Sequence, residues 1–161
     1  MNKDNPFFDN VELQPTAEIL AAIDTEQSLE LPMLDNFIPA GFPSPTQGIQ
    51  SDGIDLNREL IRHPSSTFCA RVTGNSMIDS GISDGDIIIV DKSLDPHDGA
   101  IAVCYLDGEF TLKRIAIRET GVWLVPANPK FPEIRVNDEA NFQVWGIVTY
   151  IIKQASAGSN K

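Results

Sequence analysis

From Thr67 to Ile152 the chain is a succession of short apolar segments bounded by turn residues, with almost no helical periodicity. Such a pattern allows little except an antiparallel β domain, because a short strand buries its apolar face only by pairing with neighbours. Thr67 to Thr73 is apolar and alternating. Ile87-Ile88-Ile89-Val90 is a short run between Asp84-Gly85-Asp86 and Asp91, the mark of a buried strand. Ala100 to Leu106 and Glu109 to Ile117 flank Asp107-Gly108, a strong two-residue hairpin signal. Val122 to Val125, Ile134 to Val136 and Phe142 to Ile152 complete a set of about seven strands. The predicted fold class is mainly β, a single compact domain of mostly antiparallel strands.

The chain before this region differs. Asp55 is placed to cap a short helix, Leu56 to Arg62, closed by His63-Pro64. Pro32, Pro39, Pro43 and Pro45, with Gly41 among them, forbid helix or central strand over Phe37 to Pro45, so an extended linker is expected there. Residues 1–40 carry eight acidic side chains and one lysine, Lys3. Within them Thr16 to Ile23 offers two turns of helix with a thin stripe of Ile19, Leu20 and Ile23, which alone is marginal in water. The expected organisation is an acidic N-terminal arm (1–40), a Pro/Gly-rich linker (41–53) and a β-rich domain (54–161). A length of 161 residues suits one domain.

Charge narrows the function. With 23 acidic against 12 basic residues the formal charge is −11. Such a surface repels phosphate, which argues against direct nucleic-acid binding and against an anionic membrane. No apolar run approaches the roughly 18 residues that span a bilayer, and no secretory signal opens the chain, so a cytoplasmic protein is expected. Cys69 and Cys104 lie in apolar stretches and read as reduced core thiols. A zinc site from Cys69, Cys104, His63 and His97 would match no known ligand spacing. No metal or cofactor is expected.

Two positions in the β region could carry chemistry. In Gly74-Asn75-Ser76-Met77 the glycine lets the chain turn sharply after a strand, and Ser76 would project its hydroxyl among backbone N–H groups. That suits a nucleophile beside an oxyanion site, although a Ser in such a turn is ordinarily a turn residue. Lys113 stands mid-strand on the face of Ile115 and Ile117, opposite Phe110 and Leu112. Burial there would lower its pKa and let a neutral amine take a serine proton, whereas an edge-strand lysine would simply reach water. Other schemes fit worse. His63 and His97 each adjoin a proline, and Gly-x-Ser-x-Gly and the P-loop pattern are absent. Asp79, Asp84, Asp86 and Asp91 lack calcium-loop spacing and read as solvated turn residues.

Resemblance separates these alternatives. Gly74-Asn75-Ser76-Met77-Ile78-Asp79-Ser80-Gly81-Ile82-Ser83-Asp84-Gly85-Asp86 resembles the nucleophile segment of the self-cleaving Ser-Lys peptidases that include LexA, phage repressors and the UmuD mutagenesis proteins. Asp107-Gly108-Glu109-Phe110-Thr111-Leu112-Lys113-Arg114 resembles their lysine segment. Ala40-Gly41-Phe42-Pro43-Ser44-Pro45 resembles their cleavage site, in its UmuD form. The likeness spans about residues 37 to 153, with the three motifs in family order. It implies Ser76 as nucleophile, Lys113 as general base and Ala40-Gly41 as the scissile bond. Asn75 stands where UmuD proteins often carry Asp, Ala40 where some carry Cys, and the arm is longer.

The UmuD resemblance implies a homodimer, cleavage stimulated by a RecA–single-stranded-DNA filament, and a UmuC-like translesion polymerase as partner. The alternative is a LexA-like or phage-type repressor. A repressor needs a basic helix-turn-helix domain before the cut, and 40 residues with eight acids and one lysine do not supply one. A signal-peptidase-like enzyme would need a membrane anchor.

Overall fold

The computed structural model describes residues 21–22, 30–34, 51–137 and 140–155. In chain order its elements are β1 (Ala21–Ala22), β2 (Glu30–Leu34), β3 (Ser51–Asp55), α1 (Leu56–Leu60), β4 (Thr67–Arg71), β5 (Ile87–Asp91), β6 (Ile101–Leu106), β7 (Glu109–Arg118), β8 (Gly121–Val125), β9 (Ile134–Arg135) and β10 (Phe142–Ile152). One sheet runs β1-β4-β5-β10-β6-β7-β8-β9, and β2 pairs with β3 as a separate ribbon. Every pairing is antiparallel. The mainly β, antiparallel fold class expected from the alternation is the one observed.

Turn chemistry explains the β6–β7 hairpin. Asp107 and Gly108 both take positive φ, 48° and 99°, as the tight turn that matches strand twist demands. The register then places Leu106 opposite Glu109 and Ala102 opposite Lys113. Strand β10 carries two bulges, one between Val144 and Gly146. A Cβ at Gly146 would lie 2.7 Å from Val90 Cγ1, so only glycine lets β10 and β5 approach this closely.

The alternation gives two apolar clusters on opposite faces. One contains Ala102, Cys104, Ile115, Val122, Leu124 and Ile147. The other contains Ile88, Val90 and Trp145, with Phe68 and Phe110 packed on the indole. Lys113 shares the first face with Ile115. Ile117, expected to extend that apolar face, is 43% exposed, because β7 there nears its end.

Several boundaries differ from the sequence expectation. Asp55 does cap the helix, accepting from Asn57 N at 3.0 Å, but α1 stops at Leu60 because Ile61 turns extended and buries its side chain. Strand β4 stops at Arg71, since Val72 exchanges backbone bonds with Asp86 and Gly85 instead. Strand β3 begins at Ser51, within the stretch assigned to the linker. Ala21 and Ala22, placed in a short helix by the sequence, are extended and pair with Cys69 and Phe68 of β4. A two-turn helix is marginal, whereas an open strand edge offers ladder bonds. The remainder of Thr16 to Ile23 lies outside the described residues. No helix among the described residues is long and apolar enough to cross a membrane.

Candidate active site

Ser76 sits on the loop that follows β4. Gly74, at φ 86°, turns the chain, and its N–H donates to Asp84 Oδ1 at 2.7 Å. Met77 and Ile82 are buried and anchor the loop in the core. A 3₁₀ turn, Ile78–Ser80, follows, with Ser80 N and Ile82 N both donating to Met77 O. Asp79 N donates to Ala127 O at 2.8 Å, and Asn128 Nδ2 donates to Asn75 O at 2.8 Å. Ser76 is thus held from below by apolar anchors and from the side by the β8–β9 connection. No oxygen of the described residues accepts from the N–H of Ser76 or of Met77.

Lys113 approaches from β7. Its Nζ donates to Thr111 Oγ1 at 2.6 Å, to Leu112 O at 3.1 Å and to Ser76 Oγ at 3.4 Å. Lys113 is only 7% exposed. Burial holds its ammonium below the ordinary lysine value. Cys104 is the neighbour that could oppose this, but burial pushes its thiol up to about 12. At neutral pH it carries no negative charge to restore the ammonium. A neutral amine keeps two N–H bonds and one lone pair. Thr111 Oγ1 and the Leu112 carbonyl can take the two hydrogens, leaving the lone pair for the Ser76 proton. The 3.4 Å separation is at the long end for a hydrogen bond, a common state before substrate closes the site.

The other sequence candidates fall elsewhere. His63 Nδ1 lies 2.6 Å from Asp91 Oδ2, and His97 Nδ1 lies 3.2 Å from Asp95 O. A cavity of about 390 Å³ opens beside His63, lined by Leu60, Arg62, Asp91, Leu94 and Tyr150 among others, but neither Ser76 nor Lys113 lines it. Cys69 and Cys104 are both free thiols, Cys69 half-buried on β4 and Cys104 fully buried on β6. Among the described residues no three His, Cys, Asp or Glu side chains form a metal-holding group. Ala40 and Gly41 lie outside the described residues.

The carboxylates need a correction. Asp79 and Asp84 are exposed, but Asp86 and Asp91 are buried. Asp86 accepts from Ser83 N and pairs with Lys153 at 2.7 Å, which holds its carboxyl below the usual range. Burial pushes the Asp91 carboxyl up, but bonds from Ser93, His63 and Ser66 outweigh it and leave the group lowered. The turn motif was legible, but the partners that make burial tolerable come from distant segments. Sequence reasoning also missed Thr111 and Asn128. Thr111 stands two residues before Lys113 on the same strand face, a spacing that could have flagged it. Asn128-Pro129 reads as a turn and nothing more.

Residues 32–149 match the Peptidase S24-like family. The chain is 42% identical to Protein MucA of Salmonella typhimurium over 114 residues, 70% of this chain and 77% of that protein. It is 38% identical to Protein SamA of Salmonella typhimurium, over 75% of this chain and 84% of that one. The LexA repressor of Xylella fastidiosa is 33% identical, over 84% of this chain but 64% of that protein.

Proposed function

The chain belongs to the peptidase S24 family, in its UmuD-like branch of SOS mutagenesis proteins, and on that premise we propose that it cuts its own Ala40–Gly41 bond with Ser76 and Lys113. The observation that carries this reading is the buried Lys113 amine facing the Ser76 hydroxyl at 3.4 Å. Lys113, neutral, takes the hydroxyl proton as Ser76 Oγ attacks the Ala40 carbonyl carbon. The Gly41 amine leaves with a proton returned by Lys113, and water then hydrolyses the Ala40 ester.

Cleavage would divide the chain into the acidic arm, residues 1–40, and a product that starts at Gly41 and carries the β domain. The UmuD resemblance supplies the setting. A homodimer is cut when a RecA–single-stranded-DNA filament favours the docked cleavage segment, and the cut form serves a UmuC-like translesion polymerase in the cytoplasm. The filament need contribute no catalytic group, because nucleophile and base are in this chain. A LexA-like repressor role fits less well, since eight acids and one lysine in residues 1–40 repel phosphate.

The test is to incubate the purified chain with RecA, an ATP analogue and single-stranded DNA, then weigh the products. The expected result is a filament-dependent fragment beginning at Gly41 from the wild type and none from Ser76→Ala. Cutting of Ser76→Ala at the wild-type rate would overturn the proposal.

A further inference from the structure

The loop that carries Ser76 is braced by two adjacent residues between β8 and β9. Asn128 Nδ2 donates to the Asn75 carbonyl, and Ala127 O accepts from Asp79 N, each at 2.8 Å. These bonds straddle Ser76. Asn128 is itself held in place. Its Oδ1 accepts from Lys130 N at 3.0 Å, which determines that the nitrogen end faces Asn75. Phe131 N closes the turn on Asn128 O at 3.1 Å. Pro129 stiffens the turn by fixing its own φ. The donor is therefore presented from a closed turn, not from a free side chain.

The consequence follows from peptide geometry. The Asn75 carbonyl and the Ser76 N–H belong to one peptide group, and no described peptide is cis. In a trans peptide the two point in opposite directions. Holding the carbonyl toward Asn128 therefore aims the Ser76 N–H away from it. That N–H finds no acceptor among the described residues. A nucleophile's own N–H is well placed for the oxygen of the carbonyl it attacks.

The geometry points to Asn128 as a positioning residue for the oxyanion site: it orients the Asn75–Ser76 peptide so that the Ser76 N–H donates to the scissile carbonyl oxygen. The inference rests on the Ser76–Lys113 reading. As Ser76 Oγ bonds to the Ala40 carbonyl carbon, the π pair of C=O moves onto oxygen and the hydroxyl proton moves to Lys113 Nζ. The Ser76 N–H meets the charge that has just formed. Asn128 touches neither the substrate nor the proton in transit.

The uncut chain tests this through its first-order self-cleavage rate without filament, from about pH 7 to about pH 11. Asn128→Ala should lower the plateau rate about 10- to 100-fold, less than the roughly 10²–10³-fold of losing an oxyanion donor outright, because the Ser76 N–H is tilted and not removed. The pH midpoint should not move, because Lys113 keeps its surroundings. A role confined to loop stability would instead shift the midpoint along with the melting temperature. Asn128→Asp, which keeps the acceptor for Lys130 N but offers Asn75 no donor, should lower the plateau likewise and decides the matter if Asn128→Ala does not fold. A plateau within twofold of wild type in the folded variant, or a midpoint that moves with Asn128→Ala, overturns the inference. Ser76→Ala separates the two claims. If it still cuts, the Ser76–Lys113 reading fails. If it is inert while the Asn128 variants cut at full rate, only the role of Asn128 fails.

Discussion

Lys113 Nζ meets Ser76 Oγ at 3.4 Å across 37 residues of sequence, and it does so from a buried position opposite Ala102. Burial lowers the lysine pKa, so the amine gains its neutral form at a lower pH than an ordinary lysine. Self-cleavage without filament should rise with pH and level off above that lowered value. Ser76→Ala, Lys113→Ala and Lys113→Arg should all be inert, the last because guanidinium does not lose its proton in this range. A Lys113→Ala chain cutting at near the wild-type rate at alkaline pH would reopen His63 and His97.

The same burial has a stability consequence. The folded pKa lies below the unfolded one, so the unfolded chain holds more protons between the two values, and stability should rise with pH across that window. Lys113→Met removes the buried charge and should melt no lower than wild type at pH 7. A clear drop in its melting temperature would mean that the bonds to Thr111 and Leu112 outweigh desolvation.

Thr111 holds the Lys113 amine from behind at 2.6 Å. Thr111→Val keeps the strand shape but removes that acceptor, leaving the amine less well oriented toward Ser76. The plateau rate should fall about tenfold, a part of the roughly 10²–10⁴-fold that a general base contributes, because the base is misoriented and not removed. Thr111→Ser should restore most of it. Equal rates for the valine and serine variants would show that the hydroxyl is dispensable.

Gly41→Glu should block cutting while leaving the melt of the β domain unchanged, because the bulk and charge lie at the bond to be cut. In the intact chain Ala21 and Ala22 cover Phe68 and Cys69 on the edge of β4. Once the arm is released, amide exchange along β4 should quicken, as at any unpaired sheet edge. Identical exchange before and after cutting would show that the arm stays bound.

Asp91 is 4% exposed and accepts from Ser66, Ser93 and His63. Its folded pKa is lowered, so its contribution is present above the ordinary carboxylate value and lost as pH falls through the folded value. Asp91→Asn should cost about 1–3 kcal/mol at pH 7, read from the urea midpoint. Unchanged midpoints at pH 7 would show that the cluster contributes nothing net.

The sequence by itself determined the strands from β4 onward and the hairpin, and it named the candidate pair. Alternation and turn chemistry are local properties, so Asp107-Gly108 and the Ile87–Val90 run could be read directly. Resemblance of short motifs named Ser76 and Lys113 without any coordinates. What only the tertiary structure decided is what surrounds them. That Lys113 is buried rather than snorkelling to water depends on the packing around β6 and β7, and no residue-level preference encodes it. The same holds for Asp86 and Asp91, whose turn setting suggested solvent but whose partners Lys153 and His63 lie 67 and 28 residues away. Asn128 reaches Asn75 across 53 residues. Periodicity reports which face a side chain takes, but hydrogen bonds between distant segments exist only once register and loop closure bring them within about 3 Å.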